Sequence, residues 1–291
     1  MGGPMTDAAA AQLWISQGET LVSRRGHRIA YRRRGQGPAV VLLHGFPTWS
    51  FDYADVAEDL AADHDVIAPD FLGYGASDKP NPYAYSVPES ADLVEDLVAH
   101  LQLDSVVVVA HDYGGIVAQE LIHRALSGTL GFTVSGLVLL NCGIVYSAYR
   151  PTFLQKLLIR PGIGRFISGR IRPKRVRRAL DKIRGTRLSD QEFANLWFGI
   201  SLRNGHKLAH LLIRYNAERS QHHRRWEDAL ANWQGPLHLV WGLDDPVSGA
   251  QVLDRAITAL PQAKVTRLIG VGHYPQSEAP RAVTAAVRTI A

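Results

Sequence analysis

The chain has 291 residues, 46% of them hydrophobic and 20% charged, with a mean hydropathy of -0.07. That composition excludes a disordered, collagen-like or disulfide-scaffold protein, and the length suffices to bury a substantial core in one large domain or two small ones. A net charge of +5 permits contact with nucleic acid or an anionic membrane without requiring it, and the lone cysteine, Cys142, excludes an intrachain disulfide or a cysteine-rich metal site.

The stretch from Met1 to Ala11 is small and polar, with no basic region leading into an apolar one, so no secretory signal is expected. No apolar run approaches the ~18 residues of a membrane span. The expectation is a cytoplasmic protein. Apolar runs then follow at Ala39 to His44, Asp65 to Pro69, Ser105 to Ala110 and Ser135 to Asn141. They are apolar throughout rather than alternating, as parallel strands covered on both faces should be. Between them, Ser90 to Leu101 places Leu93, Val94, Leu97, Val98 and Leu101 on one helical face. Strands alternating with helices predict an α/β protein with a mostly parallel sheet flanked by helices.

From about Tyr146 to Trp233 no comparable strand occurs, and Pro151, Pro161 and Pro173 punctuate a segment rich in Arg, His and Leu. Strand-like runs resume at Pro236 to Trp241 and Ala263 to Ile269. The predicted organisation is a core over 1–145, an inserted helical lid over 146–233, and the rest of the core over 234–291. Ten basic residues between Arg165 and Arg187 lie in the lid, and no RNA- or DNA-binding signature accompanies them. They read first as a solvated helical surface, with contact to anionic lipid or a polyanion as the alternative.

Three motifs carry chemistry. Val109-Ala110-His111-Asp112-Tyr113-Gly114-Gly115 joins a buried strand to a helix. A tight strand-to-helix turn crowds its central residue and needs small neighbours, and Ala110 and Gly114 lie two before and two after Asp112. This is the nucleophile elbow of an α/β-hydrolase fold, with aspartate where serine is commoner; otherwise Asp112 simply caps the helix. His44-Gly45-Phe46-Pro47, after the first apolar strand, suits a loop whose amides face the site, so that the Phe46 and Tyr113 N–H groups form an oxyanion hole. Asp70-Phe-Leu-Gly73-Tyr-Gly75-Ala-Ser77 reads as a loop that shapes the fold. Trp241-Gly242-Leu243-Asp244-Asp245-Pro246 and Gly270-Val271-Gly272-His273-Tyr274-Pro275 then supply an acid and a histidine, each after a strand. The order nucleophile, acid, histidine is complete, with Asp244 or Asp245 as the acid.

The sequence resembles the α/β-hydrolase superfamily in its aspartate-nucleophile branch, that of epoxide hydrolases and haloalkane dehalogenases. Within it, residues 111–121 (HDYGGIVAQEL), 150–158 (RPTFLQKLL), 223–230 (HRRWEDAL) and 273–280 (HYPQSEAP) resemble the subgroup of the mesoderm-specific transcript protein and its bacterial relatives. The resemblance spans about residue 27 to the C-terminus. It implies Asp245 as the acid, with Asp244 capping the loop.

A carboxylate can displace a leaving group at sp³ carbon. Asp112 is expected to form an alkyl ester, and His273, oriented by Asp245, to activate the water that hydrolyses it. A histidine acting only as a base suits an ordinary pKa of ~6.5. No metal motif is present, no cofactor is expected, and the expected partners are a small, largely apolar epoxide or alkyl substrate and water. Related dehalogenases hold halide with a Trp after the nucleophile and an Asn or second Trp, positions filled here by Tyr113 and Phe46. Related epoxide hydrolases hang two lid tyrosines over the nucleophile. Tyr215 resembles the later one; the earlier has no match, and Tyr146, Tyr149, His206 or His210 are the replacements available. Trp197 and Trp226 read as lid core. The expected function is epoxide hydrolysis. The alternatives are a haloalkane dehalogenase with an atypical halide site and a ligand-binding protein on a hydrolase scaffold.

Overall fold

A computed structural model describes residues 8–160 and 162–291. Met1 to Asp7 of the stretch read for a secretory signal, and Pro161, lie outside the described residues. Eight strands form one sheet: β1 (Glu19–Val22), β2 (Arg28–Arg34), β3 (Ala39–Leu43), β4 (Asp65–Pro69), β5 (Ser105–His111), β6 (Thr133–Leu140), β7 (Leu237–Gly242) and β8 (Lys264–Leu268). Their order across the sheet is β1-β2-β4-β3-β5-β6-β7-β8. β2 pairs antiparallel with both β1 and β4, and every other pairing is parallel.

The apolar runs become strands because each is buried on both sides. Along β3 and β5, Val41, Leu43, Val106, Val108 and Ala110 pack into one apolar layer. Their neighbours Val40, Leu42, Val107 and Val109 pack into the layer on the opposite face. Helices at Val87–His100 and Tyr113–Leu126 cover the first face, with Leu93, Val94, Leu97, Ile116, Val117 and Leu121 directed inward. The first of these begins three residues before Ser90, where the Ser86 hydroxyl accepts from the Glu89 amide at 3.3 Å.

β1, β2 and a helix at Ala9–Ser16 are additions to the elements expected from sequence. Arg28, Arg32, Arg33 and Arg34 hide β2 from a search for apolar runs, and only Ile29 and Tyr31 along it are buried.

Between β6 and β7 the described chain is helical, with longer helices at Phe153–Leu158, Ile163–Ser168, Pro173–Asp181, Asp190–Ser201 and Tyr215–Asn232. Trp226 is fully buried, and its indole N–H donates to Glu120 at 2.7 Å, tying the insertion to the helix that follows β5. Parallel alignment brings the loops after β3, β5, β6, β7 and β8 to one edge of the sheet, where α/β sheets carry their sites.

Candidate functional site

Asp112 stands where β5 hands over to the helix Tyr113–Leu126. Its backbone is strained, with φ 45° and ψ -108°, and such a conformation in a non-glycine residue costs roughly 1–3 kcal/mol. The turn closes because its neighbours lack side chains. A Cβ on Gly114 would stand 2.3 Å from the Leu43 carbonyl oxygen, and one on Gly45 would stand 2.7 Å from the Asp112 Cβ. Asp112 is positioned to cap the helix and makes no side-chain cap hydrogen bond. Its Oδ2 instead accepts from the Phe46 amide at 2.9 Å.

The loop holding Phe46 is fixed by His44, whose Nδ1 lies 2.9 Å from the Gly45 carbonyl and whose Nε2 accepts from the Phe71 amide at 3.1 Å. Those contacts set the neutral tautomer with its proton on Nδ1, and burial pushes the His44 pKa down. Burial pushes the pKa of Asp112 up, against the pull of His273, the Phe46 and Tyr113 amides and Arg219. The helix N-terminus behind it also favours the carboxylate.

His273 lies between two carboxylates. Its Nδ1 is 2.6 Å from Asp245 Oδ2, and its Nε2 is 3.9 Å from Asp112 Oδ1. Asp245 is buried and further held by the Val247 amide at 2.8 Å, the Ser248 hydroxyl at 2.7 Å and the Asn141 side-chain amide at 3.1 Å. Asp244 is exposed; its amide donates to the Val271 carbonyl at 3.0 Å. Of the two adjacent acids, only Asp245 reaches the histidine. Burial raises the Asp245 pKa, but His273 and the hydrogen bonds outweigh it and hold the carboxyl down at about 2.

The expectation of an ordinary His273 pKa is corrected. Burial lowers it, but the charge and hydrogen bond of Asp245, joined by Asp112 and Glu278, raise it to about 9.

Tyr113 packs inward, its hydroxyl 2.7 Å from Ser90 Oγ and its ring 4.9 Å from that of Tyr215. The Tyr215 hydroxyl is buried without a hydrogen-bond partner among the described residues, and the buried Tyr149 hydroxyl faces only the side chains of Asn216 and Gln155, whose hydrogen bonding lowers its pKa. Burial raises the pKa of both phenols, and the Asp112 charge raises both further. Tyr146 instead stacks on His223 at 4.6 Å. His206 packs against Trp197 at 5.3 Å, and His210 Nδ1 lies 3.2 Å from the Lys207 carbonyl.

The structure adds Asn141, Gly143 and Arg219 to the residues singled out as sites, and of the four replacements for the earlier lid tyrosine it sets Tyr149 within the field of Asp112. Asn141 follows β6 at φ 26° and ties its end to β7, its Oδ1 accepting from the Gly242 amide at 2.6 Å. Arg219 is 2% exposed and forms no ion pair with a carboxylate among the described residues. Its guanidinium donates to the Gly143 carbonyl at 2.6 Å and to Asn216 at 3.2 Å, and lies 4.2 Å from the centre of the Tyr149 ring. A Cβ on Gly143 would come within 2.3 Å of that guanidinium, so glycine is needed for the approach. An unpaired buried cation is costly, and the charge it acts on here is that of Asp112.

A cavity of about 180 Å³ lies between sheet edge and insertion, reaching Phe46 and His273. Its wall is largely apolar, including Leu154, Ile171, Ala209, Leu212 and Val247. Among the described residues no group of His, Cys, Asp and Glu could hold a metal ion.

The model of the Alpha/beta hydrolase family matches residues 40–287. LipZ of Mycobacterium tuberculosis is 38% identical over 279 residues, covering 95% of this chain and 96% of LipZ. The human mesoderm-specific transcript homolog protein is 39% identical over 284 residues, covering 93% of this chain and 84% of its own. Among solved structures, the haloalkane dehalogenase DbeA of Bradyrhizobium elkanii superposes with a TM-score of 0.79 at 26% identity, over 94% of this chain and 96% of that one. With its strand order, its elbow and these similarities, the chain belongs to the Alpha/beta hydrolase family.

Proposed function

We propose that the protein hydrolyses epoxides through an ester formed on Asp112, with residues 146–233 serving as a lid over the site. The observation that carries this reading is the buried, unpartnered Tyr215 hydroxyl together with the buried Tyr149 hydroxyl, both within the field of Asp112 and next to Arg219. An epoxide needs an acid for its ring oxygen, since alkoxide leaves poorly at neutral pH.

Asp112 attacks an epoxide carbon, the C–O bond breaks, and a tyrosine proton goes to the ring oxygen. The negative charge has then left Asp112. Its raising effect on both phenols disappears while Arg219, which lowers both, remains, so the tyrosines become more acidic as the ring opens. The same charge loss lowers the pKa of His273 towards the neutral form that a base requires. His273 takes a proton from water, the hydroxide attacks the ester carbonyl, and the oxyanion is held by the Phe46 and Tyr113 amides. Collapse restores the Asp112 carboxylate, releases a diol, and the remaining proton returns to the tyrosinate.

Similarity to DbeA favours a second reading, displacement of halide from a haloalkane. Tyr113 and Phe46 offer no side-chain N–H to a halide, which weighs against it. Incubation with styrene-type epoxides and with 1-bromoalkanes separates the two: the proposal expects diol, and halide release without diol would overturn it. Asp112→Asn is expected to abolish diol formation with the fold intact by circular dichroism, deamidation being excluded by mass.

A further inference from the structure

The insertion exposes apolar side chains that its own packing leaves bare. Phe153 and Leu154 open the helix Phe153–Leu158 and are 76% and 43% exposed, while Ile163 and Phe166 on the helix Ile163–Ser168 are 45% and 60% exposed. Ile163 and Phe166 are three apart and share one helical face. The two helices pack on each other, so the bare residues belong to one small region of the surface. Exposed aromatic residues in such a cluster mark a surface that meets an apolar phase.

Charge narrows what that phase can be. Between residues 151 and 180 the chain has nine Lys and Arg residues and neither Asp nor Glu. Lys156, Arg160, Arg165, Arg170, Arg172 and Lys174 are all exposed, and none forms an ion pair with a carboxylate among the described residues. The Arg170 guanidinium lies over the Phe166 ring at 3.6 Å, placing cation and apolar surface side by side. A second copy of the chain would bring like charge against like, so self-association is disfavoured. A nucleic acid would satisfy the cations and leave the aliphatic Leu154 and Ile163 without an apolar partner. An anionic bilayer satisfies both, with phosphates for the arginines and acyl chains for the rings.

The patch is continuous with the cavity, since Leu154 and Arg170 border it and Ile171 and Arg175 follow on the same wall. We propose that this face of the insertion docks on an anionic lipid surface, Phe153 and Phe166 entering the acyl boundary and the basic residues meeting lipid phosphates. The mouth of an apolar cavity is thereby presented to the phase in which apolar substrates dissolve. The docking claim stands independently of the epoxide reading.

The test is co-sedimentation of the full chain with vesicles of phosphatidylcholine alone and of phosphatidylcholine mixed equally with phosphatidylglycerol. The expected result is binding to the mixed vesicles alone, weakened by added salt. Phe153→Ser/Phe166→Ser and Arg172→Glu/Lys174→Glu, both pairs on the surface, should each weaken it by about tenfold or more, with circular dichroism spectra unchanged. No binding to the mixed vesicles, or binding that both double variants retain, overturns the proposal. So does tighter binding to single-stranded oligonucleotide than to the vesicles, lost in the phenylalanine variant, which would make the surface a base-stacking platform.

Discussion

The Nε2 atom of His273 faces Asp112 Oδ1 across 3.9 Å, too far for a hydrogen bond between them. The opposite ring nitrogen is clamped by Asp245 at 2.6 Å, so the ring has little freedom to close the gap. A base aimed at a carboxylate without bonding to it leaves room for a water to approach the carboxyl carbon. A serine elbow would need that nitrogen bonded to the hydroxyl it deprotonates.

The electrostatics of His273 make a first prediction. Asp245→Asn removes the largest charge that lifts its pKa and leaves the burial that lowers it, with only Asp112 and Glu278 still raising it, so the His273 midpoint should fall clearly below about 9. NMR titration of the ring Cε1 proton reads it. A midpoint still near the wild-type value would show that Asp245 does not control the ring.

The same pair sets a window of stability. The raised pKa of His273 stabilises the fold fully below its unfolded value of ~6.5 and loses this as pH rises through about 9. The depressed pKa of Asp245 stabilises fully above its unfolded value of ~3.9 and loses this as pH falls through about 2. Thermal unfolding of wild type and Asp245→Asn should therefore differ most between about pH 4 and 6.5, with the gap narrowing on either side. A pH-independent gap would contradict this coupling.

Tyr149→Phe and Tyr215→Phe remove the proposed acids while keeping the ring volumes. Each should slow ester formation from an epoxide by roughly 10²-fold, and the pair by more, since a positioned acid contributes about 10²–10⁴-fold. Stopped-flow measurement of ring opening tests it, with hydrolysis of a preformed ester as the control that should change little. Wild-type ring opening in the double variant would remove both tyrosines from the mechanism.

Arg219→Gln withdraws a charge that lowers the pKa of Asp112. Ring opening needs the ionised carboxylate, so the acid limb of its pH profile should move to higher pH. An unmoved limb would mean that Arg219 only fills space.

Gly114 and Gly131 offer a stability comparison. A Cβ at Gly114 meets the Leu43 backbone, whereas one at Gly131 meets nothing within 4 Å. Gly114→Ala should cost about 1–3 kcal/mol in urea unfolding, and Gly131→Ala should fall within about 0.5 kcal/mol of wild type. Equal effects would sink the steric account of the elbow.

What the sequence made legible follows from what writes itself into local pattern. β3 to β7 are covered on both faces and therefore read as apolar runs. β1 at the sheet edge is short with only Leu21 buried, and β2 beside it carries partly exposed arginines, so neither could be found that way. Asp112 was visible because a crowded turn demands small neighbours, and His273 and the Asp244-Asp245 pair because each follows a strand in a fixed order, the choice of Asp245 resting on the resemblance alone. Tyr149 was one of four replacements among which the sequence could not choose, and Arg219 left no trace. Their nearness to Asp112 depends on how the helices of the insertion pack, and Gly143, which admits the guanidinium, reads in sequence as one more turn residue.

The central claim is that Asp112 becomes covalently attached to substrate and that His273 releases it. Intact-protein mass spectrometry of His273→Gln, incubated with pooled epoxides and haloalkanes, tests it most directly. The account predicts an added mass equal to a whole epoxide, oxygen included, that is absent from Asp112→Asn/His273→Gln. An adduct lacking its halogen would give the site to haloalkanes instead, and an adduct surviving in the double variant would contradict Asp112 as the nucleophile.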